Sequence, residues 1–218
     1  MFKVFVNFKT YSQGTGEQAV KLTKVCEEVG ERSGIQVIPV VQVVDLSVIK
    51  KSVHLPLWVQ HVDWQPQGQF TGWINLEAVI QAGANGLLLN HSEHQLAPGT
   101  IKQTLARIKN LETLVCCKTL GQMERLVKLK PNYIGYEISE LIGGKVSICD
   151  FNQKAIRHAV KICGEIPLIV GAGIHKPEDL LKARELGARG VLISSAVVLA
   201  SNPKKILLDL VCPVKEIK

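Results

Sequence analysis

Four short stretches of the chain carry side chains able to do proton chemistry on a small oxygenated substrate: Asn7 with Lys9, the run Asn90-His91-Ser92-Glu93, Glu137, and the glycines of Gly171-Ala172-Gly173. A lysine and an imidazole can donate to a carbonyl oxygen as negative charge develops on it, and a carboxylate can take a proton from the neighbouring carbon. Taken singly, each has a plainer reading. A lysine after a strand is commonly a solvated charge, and a loop histidine commonly satisfies its own backbone. A cation, an imidazole and a carboxylate converging beside glycine-rich turns form a reactive set.

The glycines of Gly143-Gly144 and Gly171-Ala172-Gly173, with the turn at Ser194-Ser195, could aim backbone N–H groups at an oxyanion such as a phosphate. Ordinary turn chemistry is the competing explanation. Neither G-x-x-x-x-G-K-[ST] nor G-x-G-x-x-G occurs, which argues against ATP and dinucleotides. The six cysteines, Cys26, Cys116, Cys117, Cys149, Cys163 and Cys212, never form C-x-x-C and read as reduced, buried thiols rather than zinc ligands or a disulfide framework. A formal charge of +7 is compatible with an anionic partner. The lysines are spread along the chain without interleaved aromatics or a nucleic-acid module, so no nucleic acid is expected.

Such chemistry needs a scaffold that gathers positions 7 to 195 on one face. Eight short apolar runs, 3–7, 37–41, 57–60, 86–89, 113–117, 133–136, 168–170 and 190–193, read as strands buried on both faces. Between them, 17–29, 100–109, 121–129, 152–163 and 177–186 show apolar residues three and four apart with charge opposite, the pattern of amphipathic crossover helices. At about 27 residues per unit, the 218 residues suit one (β/α)8 barrel domain spanning 1–218. An open, doubly wound sheet is the alternative. In a barrel the active site lies at the carboxyl ends of the strands, which is where the reactive residues fall. The irregular segment 61–74 carries Trp64, Phe70 and Trp73 and should protrude, its aromatics folding back on the barrel or burying against another subunit. No apolar run reaches membrane-spanning length, and the strand-like start MFKVFVNFK is unlike a cleaved leader, so a cytoplasmic protein with no membrane partner is expected.

Val6-Asn7-Phe8-Lys9-Thr10, Asn90-His91-Ser92-Glu93-His94, Tyr136-Glu137 with Leu141-Ile142-Gly143, and Val170-Gly171-Ala172-Gly173-Ile174 resemble, in order, the motifs of short archaeal-type triosephosphate isomerases. The resemblance spans nearly the whole chain. It implies a TIM barrel that interconverts glyceraldehyde 3-phosphate and dihydroxyacetone phosphate, with no metal or organic cofactor. It assigns the electrophilic lysine to Lys9, the imidazole to His91 and the base to Glu137. Asn7 would orient the substrate oxygen and Glu93 would support the site. Phosphate contacts would fall on Gly143, Gly173 and the backbone near Ser194 and Ser195. It also implies a homo-oligomer, dimer or tetramer, in which Phe70-Thr71-Gly72 reaches a neighbouring subunit.

The family pattern breaks at the lid. Ile138 stands where relatives have proline directly after the catalytic Glu, and Gly143-Gly144-Lys145 replaces Gly-Thr-Gly at the far hinge. Proline fixes φ, so Ile138 should loosen the hinge. Glu140 reads as a lid surface carboxylate. A barrel that binds a phosphorylated metabolite with impaired turnover is therefore the second functional reading. Trp73, and His94-Gln95, replace residues that supply an intersubunit ion pair in relatives, which makes aromatic burial the expected substitute.

Overall fold

The computed structural model describes residues 2–138, 141, 144 and 146–215. Eight parallel strands, β1 (Lys3–Asn7), β2 (Gln36–Val41), β3 (Trp58–Val59), β4 (Gly86–Leu89), β5 (Glu112–Cys117), β6 (Tyr133–Tyr136), β7 (Leu168–Gly171) and β8 (Gly190–Ile193), pair in sequence order and close into a barrel. Closure is made by β1, whose Lys3 faces Gln36 of β2 on one side and Gly190 of β8 on the other. A closed barrel with helical crossovers settles the choice against an open doubly wound sheet.

The helices are α1 (Gly16–Ser33), α2 (Val43–Lys50), α3 (Leu76–Gln81), α4 (Pro98–Arg107), α5 (Leu120–Leu126), α6 (Ile148–Phe151), α7 (Gln153–Cys163), α8 (Pro177–Glu185), α9 (Ser195–Val198) and α10 (Pro203–Lys215). The five amphipathic segments of the sequence correspond to α1, α4, α5, α7 and α8. Periodicity misses α2 because it is apolar on both faces: Leu46 and Ile49 are buried while Val44 and Val48 point outward. The six-residue α3 is too short to show a period, and its start is written instead in Asn75, whose side chain accepts the Ala78 N–H at 3.0 Å. α10 buries Leu207, Leu210, Val211 and Val214 and carries Pro213 in its last turn.

Strand alternation divides the apolar residues between two cores. Val4, Val6, Val37 and Val41 face the helices, whereas Phe5, Ile38, Val40, Trp58, Leu88, Leu114, Cys116, Tyr133, Ile169 and Leu192 fill the barrel interior. This is why the strands read as near-continuous apolar runs. Phe5, Trp58 and Tyr133 pack edge-on or tilted with ring centroids 4.9 to 5.9 Å apart. Three large rings fit in so narrow a barrel because glycines face them: a Cβ on Gly86 would lie 2.3 Å from the Trp58 ring. Five cysteines are buried as expected, and Cys212 on α10 departs from that expectation by being exposed. No helix among the described residues is long and apolar enough to cross a membrane.

Gly86→Ala should destabilise the fold by about 1–3 kcal/mol through overpacking against Trp58. Denaturant unfolding followed by Trp fluorescence checks this, with a surface change such as Gly99→Ala, where a Cβ meets nothing within 4 Å, as the control.

Candidate active site

The polar residues singled out in the sequence converge at the carboxyl rim of the barrel. Asn7, Lys9, His91, Glu137, Gly173, Ser194 and Ser195 line one cleft of about 480 Å³. The backbone is bent there to aim them. Among the described residues four non-glycine residues have positive φ, and three stand on this rim: Lys9 at 50°, Asn90 at 58° and Ala172 at 79°. Each such conformation costs on the order of 1–3 kcal/mol unless its surroundings enforce it.

At Lys9 the enforcing contacts are side chains. Asn7 Oδ1 accepts the Lys9 N–H at 3.0 Å, and Gln60 Nε2 donates to the Lys9 carbonyl at 2.9 Å. Asn90 holds its own turn, donating from Nδ2 to the Cys116 carbonyl at 2.7 Å and accepting the Leu96 N–H at 2.8 Å. Gln60, which helps hold the Lys9 backbone, is not among the residues singled out in the sequence. It stands immediately after β3, so the strand-end rule that found the others could have found it.

Lys9 Nζ lies 2.5 Å from Glu93 Oε1, and the other oxygen of Glu93 lies 3.6 Å from His91 Nδ1. Glu93 is half exposed, so this pair adds little stability and acts mainly to orient the lysine. His91 accepts the Glu93 backbone N–H on Nδ1 at 3.2 Å. An acceptor at Nδ1 leaves the ring proton on Nε2, which faces Glu137 Oε2 at 3.5 Å. Burial pulls the His91 pKa down, but the nearby Glu137 carboxylate, aided by Glu93, outweighs burial and Lys9, so the net shift is upward. The Glu93 amide works against that shift, because protonating Nδ1 would set two donors face to face. The ring thus presents its Nε2–H toward Glu137.

Glu137 is 4% exposed and leaves β6 with its N–H donated to the Cys117 carbonyl at 3.0 Å. Its carboxylate lies flat against Gly171: a Cβ there would sit 2.8 Å from Oε1 and 2.9 Å from Cγ. Oε2 has no hydrogen-bond partner among the described residues, and neither do the buried hydroxyls of Ser92 and Ser194. Unpaired buried oxygens are costly, and Glu137 and Ser194 both line the cleft. Burial and the Glu137 charge push the Cys116 thiol far above its ordinary range. Burial likewise raises Cys117, so this pair is inert as nucleophiles.

Opposite the carboxylate the cleft is lined by backbone and small side chains. Gly173, at φ +68°, packs so closely on the chain ahead of it that a Cβ would lie 2.0 Å from the Val146 carbonyl oxygen. Ser194 precedes α9 and its carbonyl accepts the Val197 and Val198 N–H groups at 3.0 and 2.9 Å. Tyr11 and His175 also line this end, and neither was marked by sequence reasoning. Gly143, with Glu140 and Lys145, lies outside the described residues. No group of three or more His, Cys, Asp or Glu among the described residues could hold a metal ion.

Beside the cleft, segment 61–74 is anchored at its base and exposed at its tip. Asp63 exchanges backbone and side-chain hydrogen bonds with Ile74 at 2.9 and 2.7 Å, and Arg107 donates to the carbonyls of Trp64 and Gln65. His61, stacked on His94 with ring centroids 4.3 Å apart, pairs with Asp63. Trp64 is half buried, whereas Phe70 and Trp73 are 40% and 51% exposed and do not fold back on the barrel.

The Glu137 carboxylate is what raises the His91 pKa, so His91 should titrate lower in Glu137→Gln when followed by NMR against pH. Gly171→Ala should move it in the same direction, because the added Cβ displaces the carboxylate. An unchanged His91 midpoint in Gly171→Ala would show that the carboxylate tolerates the methyl group.

Comparison with known proteins places these motifs in one family. Residues 2–211 match the family model described as triosephosphate isomerase. Among similar proteins, the triosephosphate isomerases of Methanocaldococcus jannaschii and Methanosarcina acetivorans are each 36% identical over 214 residues, covering 95% of this chain and 98% and 96% of theirs. That of Methanothermobacter thermautotrophicus is 35% identical over 217 residues, covering 97% of this chain and 95% of its own. A match over nearly the full length, with a closed eight-stranded barrel and its polar residues gathered at the carboxyl rim, makes this chain a member of the triosephosphate isomerase family.

Proposed function

We propose that the chain is a triosephosphate isomerase, an intramolecular aldose–ketose isomerase that interconverts glyceraldehyde 3-phosphate and dihydroxyacetone phosphate through an enediolate. The observation that carries this reading is the buried Glu137 carboxylate, its free Oε2 3.5 Å from a His91 nitrogen that bears a proton, with Lys9 on the same rim. Glu137 takes the proton from the carbon next to the carbonyl and returns it to the adjacent carbon. His91 Nε2–H and the Lys9 ammonium donate to the two oxygens as they gain charge, an interaction strengthened by exclusion of water. This division between a Glu base and a neutral His is the established one for triosephosphate isomerases.

Asn7 orients the substrate oxygen and holds Lys9, and Glu93 aligns both Lys9 and His91. The phosphate is received by the backbone of Gly173, Ser194 and Ser195, and by Gly143. The reaction belongs to glycolysis and gluconeogenesis and takes place in the cytoplasm. A second reading, a phosphorylated-metabolite-binding barrel with impaired turnover, is favoured by one specific feature: Ile138 and Gly143-Gly144-Lys145 depart from the hinge residues of the family.

In a coupled assay the parent should convert glyceraldehyde 3-phosphate, and Glu137→Asp should lower kcat by about 100-fold or more with little change in KM, since it only withdraws the base. A parent that binds a phosphorylated carboxylate but does not turn over would select the second reading.

The protein works as a homo-oligomer built through 61–74, supported by the exposure of Phe70 and Trp73 on a loop whose base is rigidly tied. Equilibrium sedimentation at micromolar concentration should give a dimer or tetramer, and Phe70→Ser with Trp73→Ser should give a monomer. A monomeric parent would rule this assembly out.

A further inference from the structure

His175 is left unexplained by the chemistry above. It stands in the loop after β7, two residues beyond Gly173, and its ring lines the phosphate end of the cleft. Its Nε2 lies 2.6 Å from the carbonyl oxygen of Gly144 on the segment that follows β6. A carbonyl only accepts, so the ring must carry its proton on Nε2 in this contact.

The ring is projected from a rigid base. The N–H groups of His175 and Lys176 both donate to Asp179 Oδ2, at 2.9 and 3.1 Å. Asp179 is buried in the first turn of α8, and Pro177 opens that helix. The bond to Gly144 therefore ties a glycine with little conformational preference of its own to a fixed point on the barrel.

Two further contacts run along the same seam. Ile148 N–H donates to the Ala172 carbonyl at 3.2 Å, and the Val146 carbonyl rests on Gly173. Both involve main chain on the segment's side and a small residue on the other. The His175 bond is the one side-chain hydrogen bond of the seam among the described residues, and it lies farthest from α6. Among the described residues, the other hydrogen bond at Gly144 is that of its own turn, from its N–H to the Leu141 carbonyl at 3.0 Å.

We propose that His175 is a positioning residue: by fastening the Gly144 backbone over the phosphate end of the cleft, it keeps the bound enediolate on the isomerisation path. The inference rests on the isomerase reading above. An enediolate phosphate that is free to turn can align its C–O(P) bond with the π system. That bond then breaks, inorganic phosphate leaves with the electron pair, and the resulting enol ketonises to methylglyoxal. Backbone held firmly at the phosphate end prevents this alignment and keeps water out.

The test compares the parent, His175→Ala and His175→Gln, the last retaining a side-chain N–H donor. Measured for each are kcat, KM, the ratio of methylglyoxal plus inorganic phosphate to isomerised product, and the unfolding temperature. His175→Ala should raise KM and the elimination ratio by about tenfold, the order expected for one lost hydrogen bond, with the unfolding temperature unchanged. His175→Gln should recover most of both. An elimination ratio and KM equal to the parent's in His175→Ala overturn the proposal. A parent that does not isomerise overturns the functional reading instead, and His175 is then tested by calorimetry with 2-phosphoglycolate. There, about tenfold weaker binding to His175→Ala supports the fastening role, and equal binding overturns it.

Discussion

β1 hydrogen-bonds to both β2 and β8, so the sheet has no edge left, and every one of its eight pairings is parallel. Parallel strands need long crossovers, so every residue that follows a strand arrives at one rim and every helix lies outside. That single condition brings Lys9, His91, Glu137 and Gly173, separated by up to 164 positions in sequence, to one cleft. It also sets the interior. Phe5, Trp58 and Tyr133 occupy a space that exists only because Gly86 faces Trp58 without a side chain. The floor beneath the site is therefore packed and dry, and the rim side chains stand on it without room to sink.

The rim is where the molecule departs from low energy. Lys9, Asn90 and Ala172 sit in left-handed backbone, and Glu137 Oε2 is buried without a hydrogen-bond partner among the described residues. A well-packed apolar core can carry such costs, since burial contributes roughly 1.5–3 kcal/mol for each large side chain removed from water. The carboxylate is kept close to the imidazole by geometry. Gly171 lets it lie against the strand, and the Glu93 amide fixes which ring nitrogen holds the proton. Both devices are backbone features, invisible in a list of reactive side chains.

Around the rim the loops divide the work. The segment at 61–74 is rigid at its base through Asp63 and Arg107 and offers aromatic rings outward, which suits contact with a second copy of the chain. The seam in which Gly144, Val146 and Ile148 meet Ala172, Gly173 and His175 lies beside the cleft. Its chemistry answers the missing proline after Glu137: stiffness lost within a segment can be regained by fastening it to a neighbour.

Much of this was legible in the sequence because two short-range signals are strong. Buried parallel strands read as compact apolar runs, and polar residues placed directly after them mark the functional rim. All eight runs begin and end within one residue of the observed strands; the largest difference is at β3, where Leu57 and Gln60 flank a two-residue strand. Helices α2, α3 and α10 were not legible, since α2 is apolar on both faces, α3 is too short for a period, and α10 contains Pro213. His175 was not legible as a site residue, because its partner is a backbone carbonyl 31 positions away, whereas Gln60 was marked only by its place directly after β3. By itself the sequence determined which residue types are present, their order after the strands and the family they belong to, all of which are local or sequential properties. Only the tertiary structure decided which His91 nitrogen bears the proton, how Glu137 is seated on Gly171 and what His175 holds, because each depends on a distance between segments that closure of the barrel alone brings together.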